Sequence, residues 1–292
     1  MTPGETIVNA VARVTPWSVK RWLRQMQTAY VRRVHAFLPS DLQAALRQLG
    51  IAGGDVLMVH SSFAAFQGFR GSPADVIATL KAVVDLEGVL IMPTLPFSGS
   101  AVEYAIQDPI FDAQRTTSRM GLITEVFRRS SGVLRSLHPT HSVAVWGGRA
   151  KELVCDHHLA RTPCGADTPY GRLMDLRGKI LFLGVPTSTM TFFHFVEEAL
   201  EPQMLIPVFE PGEYALRFRT ATGEIRVAKM RLFSLRLAGH RDDAPLIAEL
   251  KRRGWWRERR LGRLRMILLE AHDVYAAASD LARRGVLCYD FR

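Results

Sequence analysis

Apolar residues recur at two different periods along the chain, and the order of those periods predicts its architecture. From Pro16 to Phe37, Val19, Trp22, Leu23, Met26 and Tyr30 stand three and four residues apart, with Lys20, Arg21, Arg24 and Arg32 between them. That is the spacing of a basic amphipathic helix. A second helix is predicted over Leu38 to Leu49, capped by Ser40 or Asp41 and ended by Gly50. Val56 to His60 then reads as a buried strand, Pro73 to Val84 as a helix and Val89 to Met92 as a second strand. Strand, polar loop, helix, strand is the βαβ unit of an α/β fold with a parallel pair.

Residues 95–117 carry no regular period, and so long an irregular stretch inside a compact domain is more often functional than idle. A helix is expected over 118–130, with Met120, Ile123, Val126 and Phe127 on one face, and a strand over Ser142 to Trp146. Lys179 to Val185 is the plainest buried strand, and Thr187 to Ala199 reads as a loop turning into a helix. Beyond Glu201 the character changes. Met204 to Phe209, Tyr214 to Thr220 and Glu224 to Leu232 read as strands, with Thr222-Gly223 as a hairpin turn. Helices are expected over 242–254 and 272–284, with a strand near 264–269. With no repeat and no linker, the chain reads as one α/β body with a β-rich C-terminal lobe.

Composition narrows the class. Hydrophobic residues make up 48% of 292 and charged residues 23%, which excludes disorder, a collagen-like repeat and a disulfide scaffold. No apolar run reaches the roughly 18 residues of a membrane span, and the N-terminus lacks the pattern of a secretory signal. Cys155, Cys164 and Cys288 fit a reducing cytoplasm. The formal charge of +10 is local. Residues 1–35 carry a net +5 and residues 251–265 a net +7, which leaves the other 242 at −2. The two basic segments can be solvated faces, or can meet an acidic partner or an anionic membrane. Such a membrane contact would make a cytoplasmic protein peripheral to the inner membrane face.

The P-loop, dinucleotide-binding, nucleophile-elbow and zincin signatures are absent. Cys155, His157, His158 and Cys164 match no standard zinc spacing, so no metal is expected and both histidines read as surface or helix-end residues. His60, Ser61 and Ser62 lie at the carboxyl end of the first strand, where open α/β sheets bind ligands. The helix start near Arg70 and Gly71 offers N–H groups to a phosphate, or is an ordinary loop. Arg135 to Ser142 gathers a cation, hydroxyls and two imidazoles, as either a site or a capped turn. The sharpest feature follows the strand KILFLGV. On a helix, Thr191, His194 and Glu197 share one face, and a carboxylate beside an imidazole raises its basicity and fixes its tautomer, as a general base requires. The alternative is a core histidine satisfied by a local carboxylate.

Taken in order, VHSSF with Gly68 and Gly71, GVLIMPT, FDAQRTTSRMGLITEVFRR, SSGVLRSLHPTHSVAVWG, LGVPTSTMTFFHFVEEA and LGRLRMILLEAHDVYAAA resemble the aminoglycoside 3-N-acetyltransferase family over about residues 40–285. The fold so implied is α/β: a mixed central sheet with βαβ units flanked by helices and a β-rich C-terminal lobe. Residues 38–292 would form the acetyltransferase domain and 1–37 a basic helical extension. The resemblance further implies acetyl transfer from acetyl-CoA, as co-substrate and without metal, to an amine by direct attack. His194 is then the general base, with Glu197 and Thr191 beside it. Ser61, Ser62 and Phe63 with His60, Arg70 and Gly71 match the coenzyme A stretch, and Ser118, Arg135, Ser136 and His138 match positions lining the cofactor cleft. The sequence departs from the family at Gly71-Ser72-Pro73, where two glycines are usual, at Thr168-Pro169, and in its two basic segments.

Those segments would repel a polycation if they flanked the acceptor cleft. Candidate acids for that cleft are Glu103, Asp108, Asp112, Glu197, Glu198 and Glu201. The acceptor is expected to be an aminoglycoside or, on the charge argument, another amino sugar. A biosynthetic enzyme using a longer acyl-CoA or an acyl carrier protein is the alternative, for which a cleft near Phe192, Phe193 and Phe195 would have to admit the chain. A homodimer is possible. A non-catalytic nucleic-acid or membrane protein is the remaining class, and it would leave the His194–Glu197 helix unexplained, so no nucleic acid is expected.

Overall fold

The structure, a computed structural model, describes residues 34–204, 206–237 and 239–290, together with Val19 and Met26. The expected N-terminal helix therefore falls almost wholly outside the described residues. Among the described residues, nineteen α-helices and strands build the fold around a seven-stranded sheet. In chain order they are α1 (Pro39–Leu49), β1 (Val56–Ser61), α2 (Pro73–Val84), β2 (Val89–Pro93), α3 (Ala101–Ile106), β3 (Ile110–Asp112), α4 (Leu122–Arg128), β4 (Leu134–Arg135), β5 (Val143–Gly147) and α5 (Ala150–Val154). There follow α6 (Pro169–Asp175), β6 (Lys179–Leu183), α7 (Phe193–Ala199), β7 (Tyr214–Arg219), β8 (Ile225–Met230), α8 (Ala244–Arg252), β9 (Arg257–Leu261), β10 (Leu264–Glu270) and α9 (Ala271–Arg283).

The large sheet runs β4-β5-β2-β1-β6-β10-β9. Only β1 with β2 and β1 with β6 pair parallel; β5, β4, β10 and β9 are antiparallel additions, so the sheet is mixed. Period-two alternation divides its side chains between two cores. Met58, Ile180, Phe182, Ile267 and Leu269 face the core covered by α6, α7, α8 and α9. Leu57, Val59, Leu181, Leu183, Met266 and Leu268 face the core covered by α1, α2 and α4. With both faces buried, the central strands read as continuous apolar runs. A second sheet, β3-β7-β8, carries its own small core around Phe111, Phe218 and Met230. The segment after Glu201 thus divides: β7 and β8 join β3 outside the main sheet, while β9 and β10 extend its edge.

Several local expectations need correction. The described residues of Met204 to Phe209 form no strand; Phe209 makes a bridge to Phe233. The irregular 95–117 stretch contains α3 and β3, both too short for a periodic signal. The helix expected over 118–130 spans only Leu122–Arg128, because Ser118 closes the preceding turn by accepting the Met120 N–H at 3.2 Å and donating its own N–H to Glu125 Oε2 at 2.8 Å. Leu38, rather than Ser40 or Asp41, occupies the N-cap of α1; Asp41 accepts its N–H at 2.7 Å. Ser72-Pro73 proves to be the start of α2, with Ser72 as N-cap and Pro73 in the first turn. Among the described residues, no helix is long and apolar enough to cross a membrane.

Candidate active site

The carboxyl ends of β1 and β6 deliver two loops to one end of the sheet. The β1 loop turns at once into a short 3-10 helix, Phe63–Ala65, fixed to β6 by the Ser62 N–H donating to the Leu183 carbonyl at 3.1 Å. Gly184 lets the loops approach this closely: its φ is +70°, and a Cβ there would sit 2.1 Å from that of Ala65. Val59 to Ala64 line a cavity of about 720 Å³ together with Arg119 to Leu122, Thr124, Val185 and Thr189. His60 and Ser61 wall it, and His60 Nε2 and Ser61 Oγ are buried without a hydrogen-bond partner. Burial and the charge of Arg241 push the His60 imidazole down to about 3, so it is neutral. Arg119, which sequence reasoning passed over in favour of Ser118, brings a cation to the wall.

Arg70 and Gly71 are not part of this wall. The Arg70 N–H donates to the Phe37 carbonyl at 2.8 Å and the Ser72 N–H to Asp75 Oδ2 at 2.7 Å, so the start of α2 has spent these donors on its own loop. The β9–β10 turn instead brings Arg263 beside the β1 loop, 3.4 Å from Gln67 Oε1.

The wall at Val185 and Thr189 leads directly into α7. Successive turn bonds (Met190 N–H to Thr187, Phe193 to Met190, His194 to Thr191) carry the chain from the cavity to His194. There the predicted pair forms: His194 Nδ1 lies 2.5 Å from Glu197 Oε2, one helical turn away. The imidazole is 30% exposed and the carboxylate 5%; one partner meets solvent and the other is held inside. The Tyr289 hydroxyl donates to the other oxygen, Glu197 Oε1. With Nδ1 committed to the carboxylate, Nε2 is the nitrogen left to accept a proton. The Phe233 ring stacks on His194 at 4.3 Å with 26° between planes, and His141 meets it edge-on at 5.6 Å. Thr191 is 7% exposed and supplies its carbonyl to the His194 N–H, which makes it part of the turn beneath the imidazole.

The remaining sequence candidates form a buried framework behind this pair. Ser136 donates to His157 Nδ1 at 2.9 Å while accepting the Val143 N–H at 3.0 Å, and His157 Nε2 meets the Pro163 carbonyl at 3.1 Å. His157 opens the short 3-10 helix His157–Leu159, as the helix-end alternative expected, but it is fully buried rather than at the surface; a local pattern shows no sign of the Pro163 loop and Tyr170 closing over it. His138 Nδ1 accepts the His141 N–H at 2.9 Å, and its Nε2 has no partner. Arg135 is held by three loops and lines not this cavity but another, of about 980 Å³, together with Arg128, Cys155 and His158. Phe192 and Phe193 are buried core residues, and Phe195 packs on Tyr275. Burial holds the Cys164 thiol well above its usual value and pushes that of Cys288 up to about 12, which disfavours either as a thiolate nucleophile.

The buried histidines set a pH dependence of folding. His60 and His157 are lowered to about 3 from 6.5, and His138 and His141 are also well below it, in each case chiefly through desolvation. Between pH 6.5 and about 3 the unfolded chain binds protons that the folded chain refuses, so stability present above 6.5 is lost on acidification. Each such histidine contributes about 1.4 kcal/mol per pH unit in that window. Glu198, raised to about 7 chiefly by burial, acts oppositely between about 4.5 and 7, but it is one group against four. Urea midpoints are expected to fall steeply from pH 7 to pH 5, and less steeply in His157→Asn. A flat profile would refute the neutral buried cluster.

A family model for aminoglycoside 3-N-acetyltransferases matches residues 58–283 of the chain. Among curated proteins, aminoglycoside N(3)-acetyltransferase VII of Streptomyces paromomycinus is 31% identical over 167 residues, which is 52% of this chain and 57% of the relative. Aminoglycoside N(3)-acetyltransferase IV of a Salmonella species is 32% identical over 160 residues, 54% of this chain and 58% of that protein. The chain thus spans under two thirds of the length of these curated relatives. Among solved structures, AAC-IIIb in a binary complex with CoASH has a TM-score of 0.69 at 25% identity, covering 88% of this chain and 98% of that one.

Proposed function

The chain belongs to the aminoglycoside 3-N-acetyltransferase family, and on that footing we propose that it transfers the acetyl group of acetyl-CoA to an amine of an aminoglycoside or related amino sugar. The carrying observation is the His194–Glu197 pair set one loop away from the cavity at the ends of β1 and β6. That cavity suits the co-substrate chemically: its wall has a buried hydroxyl and a buried imidazole nitrogen without partners, and Arg119 and the nearby Arg263 supply charge for phosphates. Acetyl-CoA supplies an activated acyl carbon. Glu197 fixes the His194 tautomer, and His194 Nε2 takes the proton from the acceptor amine as its nitrogen attacks that carbon; the new C–N bond replaces the C–S bond, and CoA leaves as the thiol once protonated. No cysteine is needed.

The acceptor side bears on the substrate. Among the acids named above, Asp108 is paired with Arg217 at 2.8 Å, Asp112 with Arg219 at 3.6 Å and Glu201 with Arg231 at 3.1 Å. A polycation would have to compete with these arginines, which favours amino sugars of low charge. The basic 251–265 run is also partly neutralised, since Arg252, Arg253, Arg257 and Arg265 pair with Glu249, Asp280, Glu270 and Glu258. Free-thiol release from acetyl-CoA, run against aminoglycosides, nucleotide-linked amino sugars and simple amino sugars, tests the reading. Turnover with at least one amine class is expected. No thiol release with any, together with no CoA binding, would overturn it.

A further inference from the structure

Glu197 is more fully tied than a simple His–carboxylate pair requires. Its Oε2 meets His194 Nδ1 and its Oε1 accepts the hydroxyl of Tyr289, 92 residues later. Tyr289 lies beyond residues 58–283, the span matched by the family model. The tail that carries it is stitched to the loop before α8: Asp242 N–H donates to the Cys288 carbonyl at 2.9 Å, Asp290 N–H donates to the His240 carbonyl at 2.8 Å, and Arg241 bridges to Tyr289. Arg241 in turn lies 4.1 Å over the Phe193 ring and reaches the Met190 carbonyl at 3.3 Å. Loop and tail therefore grip the first turn of α7 from one side while Tyr289 grips its carboxylate.

We propose that Tyr289 is a positioning residue for the proton-accepting pair: its hydroxyl fixes the Glu197 carboxylate so that Oε2 holds Nδ1 and His194 presents Nε2 to the acceptor amine. A buried carboxylate with one oxygen unpaired can rotate about its terminal torsion, which is broad and two-fold, whereas donors on both oxygens remove that freedom. The other titratable or charged groups facing the pair are His141 from the turn before β5, Glu198 on α7 itself, Cys164 from the loop before α6, and Cys288 and Arg241 beside the tail.

This inference rests on the reading of His194 as proton acceptor, and the test separates the two. In Tyr289→Phe, kcat is expected to fall about tenfold, the scale of one lost hydrogen bond to a charged group, with KM for acetyl-CoA unchanged within twofold. By NMR, the downfield Nδ1–H signal of His194, assigned by its disappearance in His194→Gln, should move and broaden in Tyr289→Phe, because the carboxylate that accepts it is no longer held on both oxygens. In Glu197→Gln the additional loss from Tyr289→Phe should vanish, since Tyr289 acts through that carboxylate. Unchanged kcat and an unchanged His194 Nδ1–H signal in a Tyr289→Phe protein that melts normally would overturn the proposal, as would full additivity with Glu197→Gln. If wild type shows no turnover but the Nδ1–H signal moves in Tyr289→Phe, only the acetyl-transfer reading falls.

Discussion

Replacing His194 by Gln is expected to lower kcat/KM for acetyl transfer by about 10²- to 10⁴-fold, the usual worth of a positioned general base, with CoA affinity held within twofold. The argument is geometric. His194 stands on α7, while the lining of the cavity assigned to CoA comes from the loops after β1 and β6 and the start of α4. Its ring rests on Phe233 and borders His141, and Gln fills much of that space. Retained CoA binding with lost turnover would isolate proton acceptance. Activity within a factor of three of wild type would show that the amine reaches the acyl carbon already deprotonated, and the base would have to be sought elsewhere. Glu197→Gln should fall between the two, because an amide in place of the carboxylate can still hold Nδ1–H but no longer stabilises the imidazolium.

Which parts of this site the sequence disclosed follows from chain distance. His194 and Glu197 are three residues apart on a helix, and the buried strand ending at Leu183 announces that helix; both signals are local. HSSF at the end of β1 was legible for the same reason. Tyr289 and Phe233 were not, since each reaches α7 from tens of residues away and neither sits in a periodic pattern. The βαβ unit over residues 56–92 could be read from the order of strand, polar loop, helix and strand, but α3, β3 and α5 could not: six, three and five residues are too few to show a period. The basic 251–265 run misled in the other direction. Read alone it is a strong cationic patch, but four of its arginines are taken up by acids, three of those acids (Glu249, Glu270 and Asp280) lying outside the run.

Arg135 carries the other large expected effect, on stability. Its guanidinium donates to the Thr94 carbonyl at 2.6 Å, to the Thr116 carbonyl at 2.5 Å, to the Ala113 carbonyl at 3.3 Å, and to the hydroxyls of Thr94 and Ser142 at 3.1 Å each. It also lies 4.8 Å over the Phe111 ring of the small sheet. One side chain thus joins the end of β2, the approach to β5 and the loop after β3, and it links the main sheet to the second one. Burial and the neighbouring Arg128 charge lower its pKa to about 9, which still leaves it charged at neutral pH. Arg135→Met preserves much of the volume but strands these acceptors in a partly buried site, so a cost of about 3 to 5 kcal/mol is expected. At roughly 2–4 °C per kcal/mol for a chain approaching this size, the melting point should fall by about 10 °C or more. Arg135→Lys keeps the charge without the planar fork and should recover only part of the loss. The same variants decide what Arg135 is for. A residue that lines the cofactor cleft would raise KM for acetyl-CoA while leaving the melting point in place, whereas the hydrogen-bond geometry requires the reverse: a lower melting point in Arg135→Met, and near-normal acetyl-CoA KM in whatever fraction remains folded.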